Sequence, residues 1–323
     1  MPLQTLLSLL SDGQFHSGDE LGARLGVSRT AVWKQLKKVQ ELGLPLQSIK
    51  GKGYCIDGGL DLLNEKLIRQ HLDPEVRALI TALDVEGVVD STNALAMAKT
   101  GAGANGYVCT AEQQTAGRGR RGRRWHSPYA SNLYLSVVWE FVGGAASLEG
   151  LSLAVGVAVV DALQQAGVVG ARLKWPNDVL HESRKMSGVL LEMVGDAAGP
   201  CQVVVGVGLN VAMNPVAAKM IDQPWVDLQS VSELALSRSH ILALLLNQLM
   251  PLLAGFERKG FASYRERWQQ LDAYADREVA LTLGQDVVVG WARGVDLNGA
   301  LIVQTAAGPR TFNGGEVSLR SAG

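Results

Sequence analysis

The chain has 323 residues, 47% of them hydrophobic and 19% charged, and a formal net charge of −1. That length predicts two or three domains with room for a large apolar core, and the near-neutral balance excludes a globally basic nucleic-acid binder, so any such role must rest on a local patch. Cys55, Cys109 and Cys201 are far apart and lack metal-ligand spacing; they read as buried free thiols of a reducing compartment, with no metal site built from side chains.

Leu3, Leu6, Leu7 and Leu10 make a helical stripe that stops near Gly13. Ser17 and Glu20 form a capping box for a helix over about 18–25 that ends at Gly26, and Ser28 can cap a third helix over about 29–42. Two helices joined by a tight glycine-containing turn are the helix-turn-helix pattern. The stretch 46–56 then reads as two short strands around Gly51-Lys52-Gly53, a wing. Between Arg24 and Lys52 lie seven basic residues against one acid, Glu41. Arg29, Thr30, Trp33 and Lys34 on the third helix are placed to enter a major groove, with Lys50 and Lys52 reaching phosphates. The other reading of this charge is a solvated face on a module used for protein contacts.

A domain boundary is placed near Gly58-Gly59. Residues 60–82 have helical spacing broken at Asp73-Pro74, and 83–89 form a strand candidate that leads through Ser91-Thr92-Asn93 into an Ala-rich helix. Those three polar residues either cap that helix or bind an amide-like or ureido group; spacing does not decide. Two further strand-like runs, 107–112 and 132–139, flank the segment Gly117–Trp125, which holds five arginines within seven residues. Arg forks grip phosphate or carboxylate oxygens two at a time, and the interleaved glycines let backbone N–H groups approach an anion. The segment reads as an anion clamp, mobile when nothing neutralises it, against the alternative of an Arg/Gly stretch that binds RNA or lies in solvent.

An apolar helix over 148–165 follows, then a strand into the turn Lys174-Trp-Pro-Asn177-Asp178, a strand beginning at Lys185, and a strand over 203–210. The last lacks the third glycine of a dinucleotide fingerprint. Residues from Leu236 to Trp268 read as two helices, and from Arg277 the period changes to two, giving six short strands that include 286–291 and 292–296 as separate elements. No signal-type segment is seen, and the longest apolar windows, 151–163 and 241–253, look too short and too polar to span a bilayer. A cytoplasmic protein without membrane contact is expected.

Taken together, these residues resemble the bifunctional biotin–protein ligase and biotin operon repressor family. The likeness runs through the winged helix, Ser91-Thr92-Asn93, Gln114 with the Gly117–Trp125 loop, Lys174–Asp178, Lys185–Gly188, Gly206–Asn210 and Gly314–Arg320. Lipoate ligases share the catalytic fold in this picture but are not expected to carry the loop or the winged helix. The resemblance implies an α+β protein: a winged helix-turn-helix over 1–59, a mixed α/β ligase-like catalytic domain over 60–274 and an SH3-like β-barrel over 275–323. It implies that biotin and Mg²⁺-ATP give biotinyl-5′-AMP, whose biotinyl group passes to a lysine of the biotin carboxyl-carrier subunit of acetyl-CoA carboxylase. The adenylate-bound protein is expected to form a homodimer on operator DNA. Lys185, Arg120 and Asp178 are then the catalytic candidates. Ser91, Thr92, Asn93, Gln114, Gly117, Arg118, Gly119, Arg120, Lys185 and Gly188 line the biotin site by the same likeness. Arg123, Trp125, Lys174, Asn177, Asn210, Trp225 and Arg320 belong to the nucleotide site, with Val216, Met220 and Ile221 folding over the adenine. The alternatives are a biotin-sensing repressor without turnover, or a ligase for another acid such as lipoate.

Overall fold

The computed structural model describes residues 2–195, 199–232, 237–284, 286–314 and 317–321. Leu236, Gly315, Glu316 and the side chain of Arg320, all invoked above, lie outside the described residues.

The N-terminal unit is α1 (Pro2–Leu10), α2 (Gly18–Leu25), α3 (Arg29–Glu41) and an antiparallel pair, β1 (Leu46–Ile49) and β2 (Gly53–Ile56). The Ser17 hydroxyl accepts the Glu20 N–H, Gly26 turns left-handed at φ +67°, and the Ser28 hydroxyl accepts the Ala31 N–H. The caps named from sequence therefore set the helix-turn-helix angle. Leu6, Leu7, Leu10, Leu21, Val32, Leu36 and Val39 close its small core, and Tyr129, from far along the chain, packs into the same cluster.

The stretch expected to be helical from residue 60 is instead non-helical up to Asn64, which caps α4 (Glu65–Gln70); α5 (Pro74–Leu79) follows. This linker is held by a buried ion pair. Arg238 meets Glu112 at 2.6 Å, and Glu112 also accepts the Leu63 N–H at 2.6 Å. Leaving either charge buried alone would cost about 3–5 kcal/mol.

The central sheet is built from β3 (Ala82–Val89), α6 (Thr92–Lys99), β4 (Tyr107–Gln114), β5 (Leu133–Phe141), α7 (Leu151–Gln165), β6 (Ala171–Lys174), β7 (Asp178–His181), β8 (Arg184–Gly195) and β9 (Cys201–Leu209). Its strand order is β3-β4-β5-β9-β8-β7-β6, with β3 and β4 parallel and the other pairs antiparallel. Alternation along the strands sorts the two faces. Leu133, Leu135, Val137, Val203, Val205 and Val207 join the core beneath α7 and a later helix, α9 (Arg238–Lys259). Val138 and Val204 face α6 instead. Tyr134, Ser136, Gly206 and Gly208 have the same parity as these two, so the pocket described below lies on the α6 side.

After β9 come α8 (Pro215–Ala218), α9 (Arg238–Lys259) and α10 (Ala262–Leu271). The 22-residue α9 is long and apolar enough to cross a membrane by length and composition, contrary to the expectation from its shorter apolar window, but 67% of that span is buried inside the fold. Residues Leu242, Leu245, Leu246 and Leu249 lie in the core with α7, and Pro251 is accommodated within the helix.

The final sheet contains β10 (Glu278–Leu283), β11 (Asp286–Val295), β12 (Leu301–Thr305), β13 (Gly308–Phe312) and β14 (Val317–Ser321), in the order β13-β12-β11-β10-β14. The two strands expected over 286–296 are one strand with an irregularity between Ala292 and Val295, where Gly294 has φ +79°. Val279, Leu281, Val303 and Leu319 belong to the same apolar cluster as the central sheet.

Candidate active site

A cavity of about 850 Å³ opens on the α6 face of the sheet. One end is neutral and polar. Ser91 caps α6, so it, Thr92 and Asn93 are presented together at the first turn. Gln114, at the end of β4, accepts the Thr92 N–H at 2.9 Å, and its amide donates to Ser127 at 2.9 Å. Ser136 Oγ lies 2.6 Å from Asn93 Oδ1 and 2.8 Å from Thr92 Oγ1. Capping and polar presentation, left as alternatives by the sequence, are thus both present.

The other end is cationic. Lys185 Nζ lies 2.7 Å from Asp178 Oδ1 and 5.4 Å from the ring centroid of Trp125. Lys174 Nζ stands 5.9 Å from the ring of Tyr274. Arg120 donates to Asn177 Oδ1 at 3.1 Å and to the Gly314 carbonyl. Burial lowers the pKa of the Arg120 guanidinium, opposed by Asp178 and reinforced by Arg121 and Arg123. Asn177 fixes the turn by donating to the Val189 carbonyl at 2.8 Å.

Two glycines make this packing possible. A Cβ on Gly206 would stand 2.2 Å from Asn93 Oδ1, and one on Gly208 would stand 2.5 Å from the Trp125 ring. The indole therefore lies on a floor that includes the cross-strand neighbours Gly188 and Gly208. Trp125 Nε1 is buried with no hydrogen-bond partner among the described residues; an orphaned donor in a cavity is a place for a ligand acceptor.

The Gly117–Trp125 segment is tied to itself and to the sheet by backbone bonds and an ion pair. Gly119 N–H donates to the Arg123 carbonyl, Trp125 N–H to the Gly117 carbonyl, and Arg120–Gly122 forms a single turn with Arg121 at φ +59°. Arg118 meets Glu192 at 2.9 Å. Carboxylate and carbonyl partners offset the mutual repulsion of the arginines.

Most of the residues singled out from sequence meet here: Ser91, Thr92, Asn93, Gln114, Arg118, Gly119, Arg120, Arg123, Trp125, Lys174, Asn177, Asp178, Lys185 and Gly188 all line the cavity. Gly117, Asn210 and Trp225 are not among the lining residues. Asn210 is buried and donates to the carbonyls of Lys185 and Val226, while Trp225 pairs with Lys185 through its backbone. Both hold the Lys185 backbone in place. In the segment expected over the adenine, Met220 lines the cavity together with Asp222, Gln223 and Pro224, while Val216 is exposed. Sequence reading assigned no role to Ser136, Glu192 or Tyr274; a lone hydroxyl or carboxylate inside an otherwise apolar strand is the signal for the first two.

On the N-terminal unit, Arg29, Thr30, Trp33, Lys34, Lys50 and Lys52 are all exposed. Trp33 is 49% exposed and carries Lys37 Nζ 3.9 Å from its ring centroid.

Residues 86–210 match the model of the biotin/lipoate A/B protein ligase family, residues 2–55 a helix-turn-helix domain, and residues 275–320 the biotin protein ligase C-terminal domain. The bifunctional ligase/repressor BirA of Escherichia coli is 39% identical over 322 residues, covering 100% of this chain and 98% of that protein. Its Salmonella typhimurium counterpart is 40% identical, covering 98% and 97%. A solved structure of biotin protein ligase from Aquifex aeolicus in complex with biotin and ATP superposes with a TM-score of 0.65 at 29% identity, covering 75% of this chain and all of that one. With a helix-turn-helix unit, a ligase core and the matching C-terminal domain in one polypeptide, this chain belongs to the bifunctional ligase/repressor BirA family.

Proposed function

We propose that this pocket joins biotin to AMP and passes the biotinyl group to a lysine of the biotin carboxyl-carrier subunit of acetyl-CoA carboxylase. One observation carries the reading: a single cavity has a neutral amide-and-hydroxyl end at Ser91–Asn93 and Gln114 and a cationic end at Lys174, Lys185 and Arg120. The first suits a ureido ring. The second suits a carboxylate meeting a triphosphate, two anions that must be brought together before they react.

In the first step a biotin carboxylate oxygen bonds to the α-phosphorus, and the bond to the bridging oxygen breaks to release pyrophosphate. Lys185 is the residue that neutralises the charge building there, with Asp178 orienting its amine. In the second step the carrier's lysine amine attacks the acyl carbon, and AMP departs with the bonding pair while the amine loses its proton. Mg²⁺ would arrive with the phosphates, still carrying several of its waters, and would offset their charge; among the described residues no three His, Cys, Asp or Glu side chains form a metal cage.

The helix-turn-helix unit, with Arg29, Thr30, Trp33 and Lys34 on α3 and Lys50 and Lys52 on the hairpin, is read as the operator-binding surface. Biotinyl-5′-AMP favours the homodimer that presents two such units, because a ligand that binds one assembly state better shifts the population toward it. The C-terminal sheet is read as an SH3-like barrel, and the domain limits of 1–59, 60–274 and 275–323 implied by the family resemblance accord with the Gly58-Gly59 pair and the change of period from Arg277. Buried free thiols at Cys55, Cys109 and Cys201 accord with a cytoplasmic site of action.

The test is pyrophosphate release from Mg²⁺-ATP with biotin or lipoate, followed by the mass of an added carrier domain. Release with biotin and a biotin-sized mass gain are expected; binding without release or transfer would leave a biotin-sensing repressor. Sedimentation with and without biotin and ATP tests the dimer, and an unchanged mass would overturn it.

A further inference from the structure

We propose that Glu192 is a positioning residue that couples closure of the Gly117–Trp125 loop to the orientation of the Asn93 amide in the acid-binding pocket. This rests on the ligase reading above.

Glu192 lies on β8 with the same parity as Gly188 and Leu190, both of which line the cavity, so its side chain is delivered to the pocket face. The strand is regular there, with Gly188, Leu190 and Glu192 paired to Gly208, Gly206 and Val204. A single carboxylate oxygen, Oε2, accepts both the Asn93 amide at 2.8 Å and the Arg118 guanidinium at 2.9 Å.

Two consequences follow from this sharing. An ionised carboxylate only accepts, so it holds the Asn93 NH₂ toward itself and leaves Oδ1 to accept the Ser136 hydroxyl. The amide has no room to move aside, because the floor at Gly206 lies directly beneath Oδ1. Glu192 thus selects which polar atom Asn93 offers a bound acid. At the same time it removes one arginine from the mutual repulsion of the loop and anchors the loop's leading end, while Arg120 anchors the middle at Asn177. The carboxylate side chain is 24% exposed and the Arg118 side chain 46% exposed, so the anchor is only partly screened by water and still open to release.

Glu192→Gln keeps the shape and removes the charge. A glutamine can offer either an oxygen or an NH₂ to Asn93, and its bond to Arg118 loses the charge on the acceptor. The expected result is a rise of about tenfold in KM for biotin with a smaller change in kcat for pyrophosphate release, together with faster amide exchange across 117–125 in the full-length protein. In a double-mutant cycle on amide exchange across 117–125, Arg118→Gln and the Glu192→Gln/Arg118→Gln pair should be alike, because the carboxylate acts on the loop only through Arg118. Glu192→Asp, which retains the charge, should recover part of the KM effect.

If the parent protein releases no pyrophosphate with biotin, the ligase reading itself fails. If the parent is active and Glu192→Gln leaves biotin KM and loop exchange at parent values, the coupling is wrong. Additive effects of the two substitutions on exchange across 117–125 would likewise overturn it.

Discussion

The indole of Trp125 lies against Gly208 so closely that a methyl group there would come within 2.5 Å of the ring. Gly208→Ala is therefore expected to lift Trp125 from the sheet, and with it the ring beside which Lys185 stands. Strain of this kind costs about 1–3 kcal/mol. Pyrophosphate release should fall about tenfold or more, with the far-ultraviolet spectrum retained. Parent-like turnover would mean that the indole leaves this floor before the chemistry.

Arg120→Gly removes hydrogen bonds to Asn177 and to the Gly314 carbonyl. Charged hydrogen bonds of this type contribute about 1.5–3 kcal/mol each, so biotinyl-5′-AMP should dissociate at least about tenfold faster and collect in a filtrate free of protein. A variant that retained the adenylate as tightly as the parent would refute the clamp.

Lys50→Ala and Lys52→Ala are expected to weaken binding to operator and unrelated DNA alike, each reducing the slope of log affinity against log salt by about 1. Arg29→Ala and Thr30→Ala should instead change the preference among operator bases. Titrations between about 50 and 200 mM salt separate the two classes; slopes that stay at the parent value would remove the hairpin from the phosphate contacts.

Asp272 supplies a dependence on pH. Burial pushes its carboxyl pKa from 3.8 up to about 6, opposed by the Tyr274 N–H and helped by Asp276. Because the folded value is the higher one, the stability it contributes is complete below about pH 4 and is lost as pH rises through about 6. Asp272→Asn should accordingly stabilise the protein at pH 7 by about 1–2 kcal/mol and lose that advantage near pH 4. Thermal unfolding at the two pH values measures the difference, and an equal advantage at both would contradict it.

Local signals were strong where a side chain acts on its own backbone. Ser17, Gly26 and Ser28 located two helices because a hydroxyl cap or a left-handed glycine is a nearest-neighbour effect. Lys174–Asp178 and the arginine loop announced an anion site because charge and turn chemistry lie within a few residues. What the sequence did not show was partnership across the sheet. Ser136 meets Asn93 only because β5 pairs with β9 in one register, placing Ser136 opposite Gly206. Glu192 reaches Arg118 across a separation of 74 residues. The helical periodicity over 60–64 was overridden because the buried Arg238–Glu112 pair recruits that backbone, and the strand break expected near Trp291 became a bulge that Gly294 accommodates.

Tyr129 stands four residues beyond Trp125 in the chain, yet its ring completes the apolar cluster of α1 and α3. A cut at residue 59 would thus not yield two self-sufficient pieces. The N-terminal fragment would lose a wall of its core to water, and the ligase fragment would display an unpaired aromatic ring. The piece of chain that leaves the pocket floor is also a building stone of the DNA-reading unit, so the two activities have a common foundation of five residues, from Trp125 to Tyr129.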